Sequence, residues 1–168
     1  MTPQEALDKL LLSYQSYYNI KQQDAAAPFA AEAEFHMTEE QYFLFKTAKI
    51  NAVGTHEYVF FALRDGTLTL ADIQSLEAAA WEEGMRRVSP YEGHKSSDVI
   101  LYVFADTVEP DAGRFVRRLR RYKSYKHTFW GWSHFRVVVQ ELSTDTLFCN
   151  RMGRDLRKFF RNKKSKKK

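Results

Sequence analysis

The sequence predicts an α+β fold, in which a single domain is built on a mixed central β-sheet of about six strands flanked by about four helices. Three observations predict it. The chain has 168 residues, of which 44% are hydrophobic, and this suffices for one buried core. Segments with helical periodicity alternate with short aromatic and β-branched segments. No linker or repeat divides the chain, so we predict one domain at residues 1–162 and a disordered lysine-rich tail at residues 163–168.

The N-terminal segment carries the signals of a helix start. The Thr2 hydroxyl can accept a hydrogen bond from the third helical amide, Pro3 has no amide hydrogen to satisfy, and Glu5 can bond back to the cap. Apolar residues then recur at helical spacing, so we expect an amphipathic helix that packs on the sheet. These residues are Leu7, Leu10, Leu11, Tyr14 and Tyr17 or Tyr18.

Three strand segments follow, at residues 29–37, 42–53 and 57–63. The first alternates small or apolar residues with polar ones, and the other two are rich in aromatic and β-branched residues. Gly54 and the pair Asp65-Gly66 are turn signals. We therefore expect the three strands to form an antiparallel meander.

The rest of the sequence alternates between helices and strands. A helix is predicted at residues 70–88, because Thr69 and Asp72 can form a capping box ahead of an amphipathic segment. After it we expect a buried strand at residues 98–105, a helix that Pro110 opens, paired strands at residues 134–142 and 146–150, and a last helix at about residues 151–162.

The last two predicted helices carry the same spacing of cations. On α-helical geometry the four cations of each helix share one face, and arginine suits bidentate contacts to phosphate. We therefore expect these helices to bind nucleic acid without reading its sequence, as in a non-catalytic binding or regulatory module. The residues are Arg114, Arg117, Arg118 and Arg121 in the first helix, and Arg154, Arg157, Lys158 and Arg161 in the second.

The charges of the chain are strongly divided between its two parts. Residues 1–113 carry 8 basic and 18 acidic residues, a net charge of −10, whereas residues 114–168 carry 18 and 3, a net charge of +15. This division favours an acidic body with a basic surface. In the alternative interpretation, the folded protein places the two parts together and the acids neutralise the arginines.

The C-terminal sequence KFFRNKKSKKK supports another partner. It joins two phenylalanines to a polybasic end, a combination that adsorbs to anionic membrane surfaces. Peripheral association with an anionic membrane is therefore an alternative to nucleic-acid binding.

A polar set on the predicted strands indicates a possible catalytic pocket. Glu34 and His36 share one strand face, and His134 and Arg136 share another. If the strands are neighbours, a carboxylate, two imidazoles and a guanidinium lie close together. Such a set suits acid–base catalysis on an anionic substrate. This makes an atypical enzyme, nuclease-like or a phosphate-substrate hydrolase, the first alternative. A solvated sheet face with cross-strand ion pairs is the structural interpretation of the same residues.

The sequence implies no metal and no organic cofactor. The five histidines lack helical metal-binding spacing, and Cys149, the one cysteine, cannot form a zinc cluster or an internal disulfide. No apolar run reaches the roughly 18 residues of a membrane span, and the N-terminus lacks the positive charge of a secretory signal. We therefore expect a cytoplasmic protein without a transmembrane segment.

The order of the first six elements resembles the core of restriction-endonuclease-like nucleases. That family holds a divalent cation with an acid on the second core strand and an acid-x-Lys pair on the third. Here the second strand, YFLFKTAKI, contains no acid, and Glu57 is followed two residues later by Val59. The resemblance implies a nuclease only if other carboxylates replace these, and Glu32 and Glu34 are the candidates.

Three further stretches, AEAEFH, GWSHFR and CNRMGRDLRKFFRN, resemble a family of uncharacterised bacterial proteins. This resemblance covers most of the chain and implies no known activity.

Overall fold

The computed structural model describes residues 1–37 and 53–161. Within them lie three α-helices, a 3₁₀ helix and a seven-stranded mixed sheet, which confirms the predicted fold class. The helices are α1 (Pro3–Leu11), α2 (Leu70–Arg87), α3 (Pro110–Arg118) and the C-terminal 3₁₀ helix (Arg151–Phe160). The strands are β1 (Asn19–Lys21), β2 (Ala31–Met37), β3 (Thr55–Leu68), β4 (Ser96–Val108), β5 (Tyr122–Ser124), β6 (Trp132–Glu141) and β7 (Thr146–Cys149).

The sheet is parallel at its centre and antiparallel at its edges. Its order is β1-β2-β3-β4-β6-β5, and β7 also pairs with β6. The β3–β4 and β4–β6 pairs are parallel, and the other pairs are antiparallel. The N-terminal ends of the three parallel strands therefore meet at one end of the sheet, where Thr55, Ser96 and Trp132 are in register.

The strands differ from the predicted ones in three respects. β2 and β3 form the expected antiparallel pair, but the segment predicted at 42–53 falls almost wholly outside the described residues. β3 continues through the turn predicted at Asp65-Gly66, because a bulge there, with Gly66 at a φ of 82°, lets the strand reach Leu68. β1 and β5 were not predicted, since three residues carry no periodic signal.

Each face of the sheet has its own hydrophobic core, because successive side chains of a strand point to opposite faces. Face A is covered by α2 and α3, and face B is covered by α1 and the 3₁₀ helix. The buried residues of face A include Phe60, Leu101, Val137, Ile73 and Val116, and those of face B include Phe61, Tyr102, Val138, Leu7 and Leu156.

Helix α2 begins as predicted and lies close to the sheet. Thr69 and Asp72 form the expected capping box. Gly84 faces β4 so closely that a Cβ atom there would lie 2.9 Å from Cγ1 of Val99. The absence of a side chain at this position therefore sets the distance between α2 and face A.

Helix α1 is shorter than predicted but keeps its buried stripe. The capping box of Thr2 and Glu5 is present, and the helix ends at Leu11. Turns after it keep Tyr14 buried, with its hydroxyl 2.7 Å from that of Tyr102. The centre of the Tyr14 ring also lies 5.7 Å from that of the Phe159 ring, so the turns that follow α1 contact the 3₁₀ helix on face B.

Candidate nucleic-acid interface

The predicted row of four arginines on α3 is broken. The helix ends at Arg118, and the backbone is extended at Leu119, with φ −62° and ψ 130°. Arg121 therefore lies beyond the helix, where its guanidinium donates to both carboxylate oxygens of Glu77, at 2.6 and 2.9 Å. Because Glu77 is buried in α2, Arg121 has a structural partner and is not available to phosphate.

The other arginines of α3 are exposed, in three different settings. Arg114 pairs with Asp111 in the preceding turn. The Arg117 guanidinium lies 5.0 Å from the centre of the Phe148 ring. Arg118 is exposed and forms no ion pair with any described residue.

The C-terminal helix has three residues per turn, so its cations are arranged differently from the predicted α-helical stripe. Gly153, Leu156 and Phe159 form the row that packs on the sheet. The next row begins with Arg151, Arg154 and Arg157, all exposed, and ends with the half-buried Phe160. Lys158 instead shares a row with Asp155, and Arg161 lies at the end of the helix, so the predicted set of four does not form one face. The spacing of the apolar residues, every third position, is the sequence signal that α-helical reasoning missed.

Asn150 connects the two basic segments, which pack on opposite faces of the sheet. Its buried amide nitrogen donates to the carbonyl oxygens of Leu119 at 3.2 Å and Phe135 at 2.8 Å. Its oxygen accepts from the amides of Val137 at 3.1 Å and Gly153 at 2.9 Å. The end of α3 and the start of the 3₁₀ helix are thereby fixed to the same stretch of β6.

Five exposed arginines lie in the two segments that this junction connects, and we call them the basic band. No carboxylate of residues 1–37 or 53–161 forms an ion pair with any of them. Arg87, Arg121 and Arg136, by contrast, are all held by acids. The basic band consists of Arg118, Arg120, Arg151, Arg154 and Arg157.

Aromatic rings lie beside the basic band, where β5 pairs with β6. The register places Tyr122 opposite His134 and Ser124 opposite Trp132, so the three rings lie on face B. The Tyr122 and His134 rings are 5.0 Å apart, and Tyr122 is 47% and Trp132 39% exposed. Burial, and then the charges of Arg136 and Arg120, lower the pKa of His134, so its ring is neutral at pH 7. We call Tyr122, Trp132 and His134 the aromatic platform.

The predicted catalytic pocket is not formed. Glu34 and His36 lie on face A of β2, where Glu34 pairs with Arg87 of α2. His134 and Arg136 lie on face B of β6, and strands β3 and β4 separate the two pairs. The expectation that these four residues meet is therefore wrong, because the sheet order places two strands between β2 and β6.

Arg136 is instead the centre of a buried charge cluster on face B. Its guanidinium pairs with Asp155, lies 3.6 Å from both Glu57 and Asp98, and donates to the carbonyl oxygen of Met152 at 2.9 Å. Burial raises the pKa of the Glu57 and Asp98 carboxyls. Sequence reasoning missed this cluster, because its acids come from three distant segments and show no shared spacing.

Glu34 and His36 take part in a different arrangement, which we call the histidine chain. His36 Nε2 lies 3.1 Å from Glu34, His36 Nδ1 lies 2.9 Å from His56 Nδ1, and His56 Nε2 lies 2.9 Å from the Tyr91 hydroxyl. The His94 ring stacks on that of His56. Burial, and then the neighbouring His36 and His94, lower the pKa of His56 to about 4. The histidine chain comprises Glu34, His36, His56 and Tyr91.

One arrangement of protons satisfies every bond of the histidine chain. With neutral imidazoles, Tyr91 donates to His56, His56 donates to His36, and His36 donates to Glu34. Since Glu34 also accepts from Arg87 at 2.9 Å, it is held as a carboxylate at the inner end, and its pKa is lowered despite its burial. Tyr91, at the outer end, is exposed to solvent. The histidine chain can therefore move a proton from the surface towards Glu34.

Two further properties bear on the site. Among the described residues, no three His, Cys, Asp or Glu side chains are arranged to hold a metal ion. Within the same two ranges, no helix has the length and apolar character needed to cross a membrane.

Comparison with known proteins gives one family and no individual relative. Neither a curated protein nor a solved structure matches the chain. One family model, described as a domain of unknown function (DUF8052), matches residues 2–162. The match covers nearly the whole chain, and the protein therefore belongs to the DUF8052 family.

Proposed function

We propose that this protein binds nucleic acid through the basic band, without reading its sequence. The observation that carries the proposal is the contrast between two groups of arginines. Arg87, Arg121 and Arg136 are neutralised by acids of the fold, whereas the five of the basic band are exposed and without such partners among the described residues. Exposed guanidinium groups attract phosphates and release counterions on binding. A cytoplasmic location, favoured by the single cysteine, is part of this proposal.

The test is fluorescence anisotropy with short DNA and RNA over a series of salt concentrations. We expect binding that weakens steeply with salt, and replacement of the five band arginines by Gln should lower the slope by ~0.7 to 0.9 per lost phosphate contact. The control replaces Arg64, Arg86 and Arg114, which are exposed but paired with acids, and its effect is compared per residue replaced. An equal effect per substitution in the two sets would contradict the proposal.

Two further experiments distinguish binding by the basic band from binding by the C-terminal tail. A chain ending at Asn162 should retain salt-dependent binding, since the band lies within the fold. Vesicles that contain phosphatidylserine test peripheral membrane association, which the polybasic end favours. Binding to vesicles but not to nucleic acid, or loss of all binding with the tail alone, would refute the proposal.

The histidine chain supports a second candidate function, which is acid–base catalysis on a phosphate ester. In the proton arrangement given above, its three hydrogen bonds run in one direction from the exposed Tyr91 to Glu34. Water would attack phosphorus and expel the alcohol as its anion. The water proton would pass to Tyr91, the Tyr91 proton to His56 Nε2, and the His56 proton to His36 Nδ1. This leaves an imidazolium at His36 beside the Glu34 carboxylate.

Hydrolysis of bis(p-nitrophenyl) phosphate tests this second function. We expect Tyr91→Phe and His56→Asn each to lower the rate by about 100-fold or more, as for loss of a general base. Tyr122→Phe, at an exposed tyrosine on the other face of the sheet, is the control. If the intact protein releases no p-nitrophenolate above background, the second function is refuted and the first is unaffected.

A further inference from the structure

The aromatic platform occupies a part of face B that the four helices of the described residues leave open. α1 and the 3₁₀ helix bury face B farther along β4 and β6, at Ile100, Tyr102 and Val138. The platform lies at the N-terminal end of β6, where Trp132 and Tyr122 remain exposed. Large exposed aromatic side chains on adjacent strands form a flat apolar surface with polar surroundings, which is typical of an interaction site.

We infer that the platform stacks the bases of a single-stranded nucleic acid whose phosphates contact the basic band; this inference rests on the proposed function. Tyr122 and Trp132 are diagonal neighbours across the β5–β6 pair. Such neighbours are about 7–8 Å apart. That distance is roughly twice the 3.4 Å spacing of stacked bases, so neighbouring bases can each reach a ring once the strand is unstacked.

The charges around the platform differ between its two sides, and this orients the strand. Arg120 is close enough to His134 to lower its pKa, and the junction at Asn150 places Arg151 near the same part of β6. On the β4 side, Asp98 accepts from the His134 amide at 3.3 Å. Phosphates are therefore attracted to the arginine side, whereas the Asp98 carboxylate disfavours them on the other side.

A double helix does not fit this surface. Its bases are stacked on each other and paired, so their faces are not available to protein rings, whereas an unpaired strand can splay its bases. Stacking is also indifferent to base identity, since every base has a π face. The platform thus adds a preference for single strands to binding that does not read sequence.

The loop between β5 and β6 carries a further exposed aromatic residue three positions before Trp132. Its backbone is held by bonds from the Tyr125 amide to Gly131 and from the Phe129 amide to Lys126, both 3.0 Å. Lys126, His127 and Thr128 have positive φ angles of 45°, 52° and 75°. Such backbone is retained where the fold enforces it, often at ligand sites. The loop holds Phe129 at 85% exposure, beside the strand end that carries Trp132.

The inference is tested with labelled oligonucleotides of about 12 nucleotides, within the site sizes of single-strand binders. Three forms carry the same phosphates per strand: a single strand, its duplex and a strand of abasic sugars. DNA and RNA versions are used. We expect the single strand to bind most tightly, and Tyr122→Ala or Trp132→Ala to weaken that complex by about 5- to 150-fold. The same substitutions should leave the abasic complex unchanged.

Controls keep structural effects apart from stacking. Trp132→Phe retains a ring and should retain most of the affinity, and Tyr17→Ala removes an exposed aromatic residue elsewhere. Binding should quench the tryptophan fluorescence of the intact protein more than that of Trp132→Phe. Circular dichroism establishes that each variant folds. If Trp132→Ala does not fold, the affinity of Tyr122→Ala, on the exposed strand β5, and the fluorescence comparison decide whether the platform stacks bases.

The outcomes distinguish this inference from the proposed function. Equal affinity for single-stranded, duplex and abasic forms, with loss of binding in the five-arginine variant, would overturn the stacking inference and leave nucleic-acid binding intact. No binding to any form would overturn both. If Tyr122→Ala and Trp132→Ala still prefer the single strand to the duplex, the inference that the platform stacks bases would also be overturned.

Discussion

The guanidinium of Arg87 and the carboxylate of Glu32 form a bidentate pair between α2 and β2, with nitrogen–oxygen distances of 3.2 and 3.0 Å. The Glu32 side chain is almost fully buried, so the protein depends on Arg87 to neutralise it. Arg87 also binds Glu34 and Glu83. One arginine thus fixes α2 to the outer part of the sheet and holds the inner end of the histidine chain.

Removal of Arg87 should strongly destabilise the fold. In Arg87→Met the buried Glu32 carboxylate loses its partner, and we expect the free energy of unfolding to fall by about 3–5 kcal/mol in urea titrations. Glu32→Gln in the same chain should restore part of the loss. Arg86→Met, at an exposed surface pair, is the control and should change stability by less than about 1 kcal/mol. Equal effects at the two positions would contradict this account.

Asn150→Ala should weaken the junction that connects the basic segments. The buried amides of Val137 and Gly153 and the carbonyl of Phe135 lose their side-chain partner, and we expect a loss of about 3 kcal/mol in unfolding free energy. Gln140→Ala, which removes one exposed side-chain bond, is the comparison. The proposed nucleic-acid affinity should fall in Asn150→Ala even where the protein remains folded, because the two segments are no longer aligned.

Gly84→Ala should destabilise the protein although alanine favours helix. The added methyl group would overlap Val99, and overpacking of this kind costs about 1–3 kcal/mol. In a Val99→Ala chain the same substitution should cost less, since the two γ-methyl groups are gone and only the Cβ of residue 99, 3.2 Å away, remains close. A double-mutant cycle measured by thermal unfolding gives the coupling between the two positions. A coupling near zero would show that Gly84 does not set the approach of α2.

His56 should make stability depend on pH. Its pKa is about 4 in the folded protein, against the ordinary histidine value of 6.5 in the unfolded chain, so the unfolded chain takes up the proton first as the pH falls. The stability that His56 contributes is therefore complete above about pH 6.5 and is lost as the pH falls towards 4, by about 3 kcal/mol. Urea titrations of the intact protein and His56→Gln across this range measure the difference, and the exposed His127→Gln is the control. Parallel pH profiles for the intact protein and His56→Gln would refute the assignment.

The elements that could be predicted are those whose signals are local. The capping boxes at Thr2 and Thr69 each depend on residues three positions apart, and both are present. The uncharged run within β4 also identified a buried strand. The strands β1 and β5 could not be found in this way, because three residues are ordered only by the partner strands on which they lie.

The candidate site was harder to predict, because its geometry depends on pairing between distant segments. The arginines lie in two segments of the sequence, and α-helical spacing grouped Arg121 with exposed residues although it pairs with Glu77. The histidine chain joins residues from β2, β3 and the loop before β4, whose contacts follow from the sheet order alone. Sequence periodicity describes one element at a time and contains no information about which strand lies beside which.

The contact between Tyr14 and Phe159 has a consequence for synthesis on the ribosome. Face A can be completed once β7 has left the ribosome, because its two covering helices come earlier in the chain and Phe148 of β7 is the last residue packed on it. Face B cannot, because the residues that cover Tyr102 and Phe104 beside α1 include Phe160 in the last helix. A nascent chain that lacks this helix exposes aromatic sheet surface, and stop codons ahead of Leu156 should therefore yield products that depend on chaperones and aggregate when released.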